Sequence, residues 1–269
     1  MAAAETLSSR ANPLYKRLRA LKQRSASGSL CLVEGPKLAL EALGAGLRLV
    51  EAAASPHAET TAAGARALAE LRARGVPLRR MAEALLASLS ETGTSQGLVA
   101  LAERPSFEAE RVFGPGSAAP LVLVVDAVQD PGNLGALLRS AEAAGATGAL
   151  LTTGCADPLS WKALRGSMGS AFRLPHVTGL TIADALARLA ARGVAVYATA
   201  ADGDRRYDEA DLRGPVAVVV GREGAGLSAV VQASAAARLR IPLAEPVESL
   251  NVGVAAALVL FEAARQRRA

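Results

Sequence analysis

Residues 121–145 read LVLVVDAVQDPGNLGALLRSAEAAG. Leu121–Val125 is a continuous apolar run without polar alternation, which suits a strand buried on both faces of a parallel sheet. Asp126 ends the run. Pro131-Gly132 forces a tight turn, and Asn133 is placed to cap the helix that follows. From there Leu134, Leu137, Leu138 and Ala141 fall on one helical face, and Gly145 is the stop. A buried strand, a sharp turn and a returning helix form the repeating unit of wound α/β sheets.

Toward the C-terminus the alternation continues. Strands are expected over 149–152, 194–199, 216–220 and 238–242, and helices over 158–170, 182–191 and 251–265. The last helix is apolar almost all round, with Val252, Val254, Ala255, Leu258, Val259, Leu260 and Phe261. It must be covered on every side, either within its domain or by another subunit. Toward the N-terminus, Arg104-Pro105, Gly114-Pro115-Gly116 and Ala119-Pro120 punctuate a linker. Ahead of it lies a smaller α/β unit, with strands over 30–33, 47–53 and 97–102 and helices over 36–43, 60–74 and 81–89. The expected organisation is residues 1–106, a linker over 107–119, and residues 120–269.

The smaller unit begins with an amphipathic helix over 12–24, whose Leu14, Leu18 and Leu21 share a face. The other faces are basic. Residues 1–30 carry Arg10, Lys16, Arg17, Arg19, Lys22 and Arg24 against one acid, Glu5. With a formal net charge of +5 on the chain, these six are the candidates for binding the phosphates of a nucleic acid. Arg265, Arg267 and Arg268 form a second cluster.

Composition narrows the function classes. A hydrophobic content of 51% over 269 residues is ample for a globular core and excludes a disordered or fibrous chain. Two distant cysteines, Cys31 and Cys155, do not make a disulfide framework. His57 and His176 have no Cys or His at ligand spacing, so no metal is expected. No apolar run reaches the roughly 18–20 residues of a membrane span, and no secretory h-region follows Met1. The first 30 residues are expected to belong to the working protein, which is expected in the cytoplasm.

Three segments follow predicted strands, at the sheet edge where open α/β proteins bind ligands. The first is Asp126 to Arg139, with Asp130-Pro131-Gly132-Asn133 at its turn and Arg139 inside the helix. The second is Gly221-Arg222-Glu223-Gly224-Ala225-Gly226. Its G-x-x-G-x-G spacing and late position are wrong for a dinucleotide fingerprint, and a P-loop is excluded because no G-K-S/T follows. The third is Ile241-Pro242 through Ser249-Leu250-Asn251-Val252-Gly253-Val254-Ala255, in which Ser249 is placed to cap the last helix and Asn251 offers both donor and acceptor.

Together these read D-x-x-x-D-P-G-N-x-G-x-x-x-R, then G-x-E-G-x-G, then I-P-x-x-x-x-x-x-S-L-N-V-x-V-A. In order and separation they resemble the three signature motifs of the SpoU/TrmH family of RNA 2′-O-ribose methyltransferases, over about residues 121–264. Ser9-Arg10-x-Asn12-Pro13 and Val33-Glu34-Gly35-Pro36-Lys37 are similar to the substrate-binding domain often fused ahead of that catalytic domain.

The resemblance implies a parallel-sheet SPOUT methyltransferase domain with a trefoil knot, preceded by a smaller L30e-like α/β RNA-binding domain. It implies a homodimer through the C-terminal domain, S-adenosylmethionine as methyl donor, and a ribose 2′-hydroxyl as acceptor. The RNA is expected to be 23S rRNA, read in looped regions; a tRNA substrate and a catalytically silent RNA-binding relative are the alternatives. The donor pocket is expected to involve Thr199, Ala200, Gly221, Ile241 and Leu250. Asn133, Arg139, Glu223, Ser249 and Asn251 map onto catalytic and RNA-positioning residues. Arginine is a reluctant base, so Arg139 is expected to stabilise negative charge developing on the 2′-oxygen. In one departure, Gly253 stands where the family commonly has serine. A packing change or altered donor geometry is expected from it, with methyl-donor affinity the property placed in question.

Overall fold

The computed structural model describes residues 6–23, 28–89, 95–116, 119–221 and 227–268. Two compact units emerge: Met1–Pro105 with Asp157–Phe172, and Ser106–Ala156 with Arg173–Ala269. In chain order the strands are β1 (Leu30–Glu34), β2 (Leu49–Ala54), β3 (Leu78–Arg80), β4 (Leu98–Glu103), β5 (Leu121–Val125), β6 (Gly148–Thr152), β7 (His176–Leu180), β8 (Ala195–Thr199), β9 (Arg205–Arg206), β10 (Val216–Val220) and β11 (Ala237–Arg240). The helices are α1 (Pro13–Gln23), α2 (Pro36–Gly44), α3 (Pro56–Thr60), α4 (Ala62–Ala73), α5 (Glu83–Ala87), α6 (Pro131–Ala143), α7 (Trp161–Ser167), α8 (Ser170–Arg173), α9 (Ile182–Ala190), α10 (Ala229–Ser234) and α11 (Val252–Arg268).

The first unit is a four-stranded sheet in the order β1-β4-β2-β3. β4 runs antiparallel to both of its neighbours, whereas β2 and β3 are parallel. The Asn12-Pro13 pair starts α1: Asn12 Oδ1 accepts from the Leu14 amide at 2.9 Å, and proline has no N–H to satisfy. The apolar face of α1, with Leu14, Tyr15 and Leu18 buried, packs on Leu85, Leu86, Leu89 and Trp161.

The helix expected over 60–74 divides at Thr61, whose hydroxyl caps α4 through the Gly64 amide at 3.0 Å. The helix expected over 81–89 shrinks to α5, because Met81 bridges to Leu7 and continues the extended path of β3. The one expected over 158–170 breaks at left-handed Met168 (φ 51°) and Gly169 (φ 94°), giving α7 and α8.

The second unit is a seven-stranded sheet in the order β7-β6-β5-β10-β8-β11-β9, parallel throughout. All residues of β5, β6 and β10 are buried. By the pleat, one face of β5 presents Val122 and Val124, which join Ala217, Val219, Leu186 and Leu189 in a core under α9. Val112 and Phe113, from a 3₁₀ turn over Ala109–Phe113, enter the same core.

Helices α6 and α11 pack against each other. The all-round burial expected for the last helix is met on one side. Val252, Ala256, Val259, Leu260 and Ala263 are buried, but Val254, Leu258 and Phe261 are 49%, 37% and 45% exposed. Among the described residues, no helix is long and apolar enough to cross a membrane.

Candidate active site

Because the second sheet is parallel, β5, β8, β10 and β11 end at one edge, at Val125, Thr199, Val220 and Arg240. The turn after β5 is held by side chains. Thr152 Oγ1 donates to Asp126 Oδ1 at 2.8 Å and accepts from the Ala127 amide at 3.0 Å, which fixes Ala127 at φ 54°. Asp126 is thereby a structural residue of the first motif.

The cap of α6 is Asp130, which accepts from the Asn133 amide at 2.7 Å. The sequence reading gave that part to Asn133. With an aspartate three residues earlier and proline at the first helical position, the Asn133 side chain is left for another partner.

That partner is Asn251. Its Nδ2 donates to Asn133 Oδ1 at 2.9 Å, and its Oδ1 accepts from the Gly253 amide at 2.9 Å. One carboxamide thus joins the first and third motifs and holds the start of α11. The cap expected from Ser249 is corrected accordingly: α11 begins at Val252, and Asn251 accepts from its first turn. Ser249 is exposed and lines a hollow instead.

That hollow lies at the strand ends. Thr199 and Ala200 after β8, Gly221 after β10, Ile241 after β11, and Leu250 before α11 all line it. Ala201, Leu227, Leu239, Leu243, Val252 and Ala255 also line it, and the sequence reading had not assigned them to the donor pocket. Their signal was position: Leu239 is on β11, Val252 and Ala255 open α11, and Leu227 and Leu243 lie in the loops beside the motif residues.

Arg139 sits on α6, exposed, with no hydrogen bond or ion pair among the described residues. It does not line the hollow. Glu223 lies outside the described residues. Gly253 lies away from the hollow. It faces a groove shared with Ala136, Ser140, Asn251, Leu258 and Phe261, and a Cβ there would stand 3.1 Å from Asn251 Oδ1 and 3.4 Å from the Ala136 Cβ. The departure from the serine pattern therefore touches the asparagine pair and the α6–α11 packing.

In the first unit the basic run of α1 is divided among several tasks. Arg10, Arg19 and Lys22 edge one hollow beside Tyr15 and Ser88, and no acid among the described residues lines it. Arg17 is 3.6 Å from Glu51. Lys22 Nζ donates to the Leu89 carbonyl at 2.5 Å. Lys16 is exposed, and Arg24 lies outside the described residues.

The model of the SpoU rRNA Methylase family matches residues 120–261, and that of the MRM3-like substrate binding domain matches residues 12–100. The chain belongs to the SpoU rRNA methylase family. A 23S rRNA (guanosine-2′-O-)-methyltransferase, RlmB, of Ralstonia nicotianae is 38% identical over 68% of this SpoU-family chain and 74% of its own length. A crystal structure of an RNA 2′-O ribose methyltransferase superposes with a TM-score of 0.87 at 36% identity, covering 98% of this chain and 100% of the other. The SpoU methyltransferase AviRb of Streptomyces viridochromogenes, in complex with the cofactor AdoMet, gives a TM-score of 0.81 at 27% identity over 96% and 99% of the two chains.

The hollow of this SpoU-family chain has the make-up an adenosyl group requires. Leucine and isoleucine side chains offer flat apolar walls, and backbone at three strand ends offers donors and acceptors at the rim.

Proposed function

We propose that this chain transfers a methyl group from S-adenosylmethionine to a ribose 2′-hydroxyl of RNA, with 23S rRNA as substrate. The observation that carries the proposal is the Asn251–Asn133 hydrogen bond, at a sheet edge whose hollow gathers Thr199, Ala200, Gly221, Ile241 and Leu250. When bound, S-adenosylmethionine supplies an electrophilic methyl on a sulfonium. Leu250 and Ile241 would flank its adenine, and backbone at Ala200 and Gly221 would hydrogen-bond the adenine edge. Displacement at a methyl needs an in-line approach, so positioning is a large part of the catalysis.

The 2′-hydroxyl is a weak nucleophile whose oxygen gains negative charge as its proton leaves. Arg139, exposed and unpaired among the described residues, stabilises that charge with its planar donors. Asn133 and Asn251 hold the ribose. Ser249 and Glu223 complete the set, carried over from the family motifs.

The same proposal assigns residues 1–106 to RNA substrate binding, 107–119 to a linker and 120–269 to catalysis, except that Asp157–Phe172 belongs to the first compact unit and so to RNA binding, and that Val112 and Phe113 of the linker are buried in the core of the second. The trefoil knot belongs to it, on the strength of the family. Arg10, Lys16, Arg17, Arg19, Lys22 and Arg24 contact RNA phosphates. The exposed Val254, Leu258 and Phe261 support a homodimer formed across α11, since three large apolar side chains on one helix face are matched by a second copy of themselves. The place of action is the cytoplasm.

The test incubates the protein with methyl-labelled S-adenosylmethionine and deproteinised rRNA or tRNA. Label on rRNA in alkali-resistant dinucleotides, lost in Asn133→Ala and Arg139→Ala, is the expected result. Label on a base, or on neither RNA while S-adenosylhomocysteine binds, overturns the proposal.

A further inference from the structure

Where β1 turns into α2, the first unit carries a hollow lined by Lys37, His57, Thr61, Ser95, Gln96 and Arg165, with Glu34 at its side. The Glu34-Gly35-Pro36-Lys37 stretch builds this corner. Gly35 holds φ 94°, and an added Cβ would collide with Gln96 Oε1, so glycine leaves the room in which Gln96 lies. Pro36 opens α2 and leaves Lys37 exposed on its first turn.

The Arg165 side is equally determined. Trp161 is 4% exposed, and its Nε1 donates to Glu34 Oε2, which engages the acid of the hollow. The guanidinium of Arg165 lies over the Trp161 ring, with Cζ 4.9 Å from the centroid. Asp157, at the start of the same segment, is forked by Arg104 at 2.6 and 2.9 Å. Among the described residues the Lys37 and Gln96 side chains have no hydrogen-bond or ion-pair partner.

Other polar hollows of this unit differ in kind. The one beside Arg10 and Arg19 offers cations, with Tyr15 and Ser88 hydrogen-bonded to each other at 2.9 Å. The one beside Arg17, Arg79 and Arg80 spends Glu51 on Arg17 and Arg79. Cations alone bind phosphates without reading sequence. Unpaired RNA bases are read on their edges by amides and hydroxyls and stack on guanidinium planes. A carboxamide supplies a donor and an acceptor together.

We infer that the hollow between Lys37, Gln96 and Arg165 takes one unpaired nucleotide of the RNA substrate, with its phosphate on Lys37, its base edge on Gln96 and its ring on the Arg165 guanidinium. This rests on the reading of the chain as an RNA-directed enzyme. It adds recognition by Gln96, and a further phosphate contact by Lys37, to the phosphate affinity supplied by α1.

The experiment is equilibrium binding of the full chain to deproteinised 23S rRNA at several salt concentrations, with poly(U) as competitor and no methyl transfer required. The variants are Gln96→Ala, Lys37→Ala with Arg165→Ala, and Arg66→Ala as an exposed charge control, each matched to the wild type by thermal melt. The double variant is expected to bind rRNA about tenfold more weakly with a shallower salt slope. Gln96→Ala is expected to lose preference for rRNA over poly(U) by about fivefold to tenfold, with the salt slope kept. Arg66→Ala moves neither. Wild-type affinity and preference in all three variants overturns the inference, as does a wild-type protein that shows no preference for rRNA. A protein that discriminates as expected but transfers no methyl overturns the proposed activity and leaves the hollow standing.

Discussion

Asn251 makes two hydrogen bonds with one carboxamide, donating to Asn133 and accepting from the Gly253 amide. Aspartate in its place keeps the acceptor and loses the donor. Gly253 lets the pair sit close, because a Cβ there presses on Asn251 Oδ1 at 3.1 Å. Gly253→Ser is therefore expected to slow methyl transfer by roughly threefold to tenfold through a displaced Asn251, with S-adenosylhomocysteine affinity unchanged by calorimetry. Weakened affinity with an intact rate at saturating donor would put Gly253 back in the donor pocket.

The cysteines make a pH-dependent prediction. Burial pushes the Cys31 thiol up to about 12 and also raises Cys155. Neither is expected to react with a thiol-specific reagent in the native protein at about pH 8, where an ordinary thiol with a pKa of about 8.5 does. Fast modification of two thiols per chain would show that this packing is wrong.

That Thr199, Ala200, Gly221, Ile241 and Leu250 lie together was legible in sequence, because each ends or follows a strand or precedes the last helix at one sheet edge, and they line one hollow. The cap of α6 was not: Asp130 and Asn133 are both good capping types, and three-dimensional placement decided between them.

At the scale of elements, α11 shows why a run of arginines is a poor guide to function. Arg267 looks like part of a basic tail, yet its guanidinium donates to the carbonyls of Leu212, Ala119, Pro120 and Gly214 at 2.6–3.1 Å. Burial lowers its pKa. It ties the end of α11 to the segments that enter β5 and β10. Arg267→Ala is expected to destabilise the protein by about 2 kcal/mol, as hydrogen bonds to a charged group are lost, and to lower Tm by several degrees. An unchanged melt would place it among the solvated charges.

The long buried strands were readable because β5, β6 and β10 are apolar throughout. β7 escaped because Thr178-Gly179 interrupts its pattern, and β9 is two residues long. The helix over 158–170 looked continuous until Met168 and Gly169 took left-handed conformations.

For the whole molecule, the alternation of strands and helices pointed to a parallel sheet, and every strand of the seven-stranded sheet does point the same way, so that their ends share one edge. What alternation does not carry is which strands are neighbours. The order β5-β10-β8-β11 interleaves late and early strands. It is set by packing across the sheet, on which local sequence is silent.

Assembly belongs to this scale as well. Phe261→Glu, on the open face of α11, is expected to convert a dimer to a monomer in sedimentation at micromolar concentration while keeping the thermal melt of the fold. A wild-type protein that sediments as a monomer would remove the dimer from the proposal.

The proposed division of labour, with the methyl donor in the hollow and Arg139 stabilising the reacting oxygen, is tested most directly by one rate. Single-turnover methyl transfer to 23S rRNA is measured at saturating S-adenosylmethionine for the wild type and Arg139→Lys. Lysine keeps the charge and loses the planar fork, so the rate is expected to fall by about a hundredfold with S-adenosylhomocysteine affinity unchanged. A lysine variant that transfers methyl at nearly the wild-type rate would contradict the role given to Arg139.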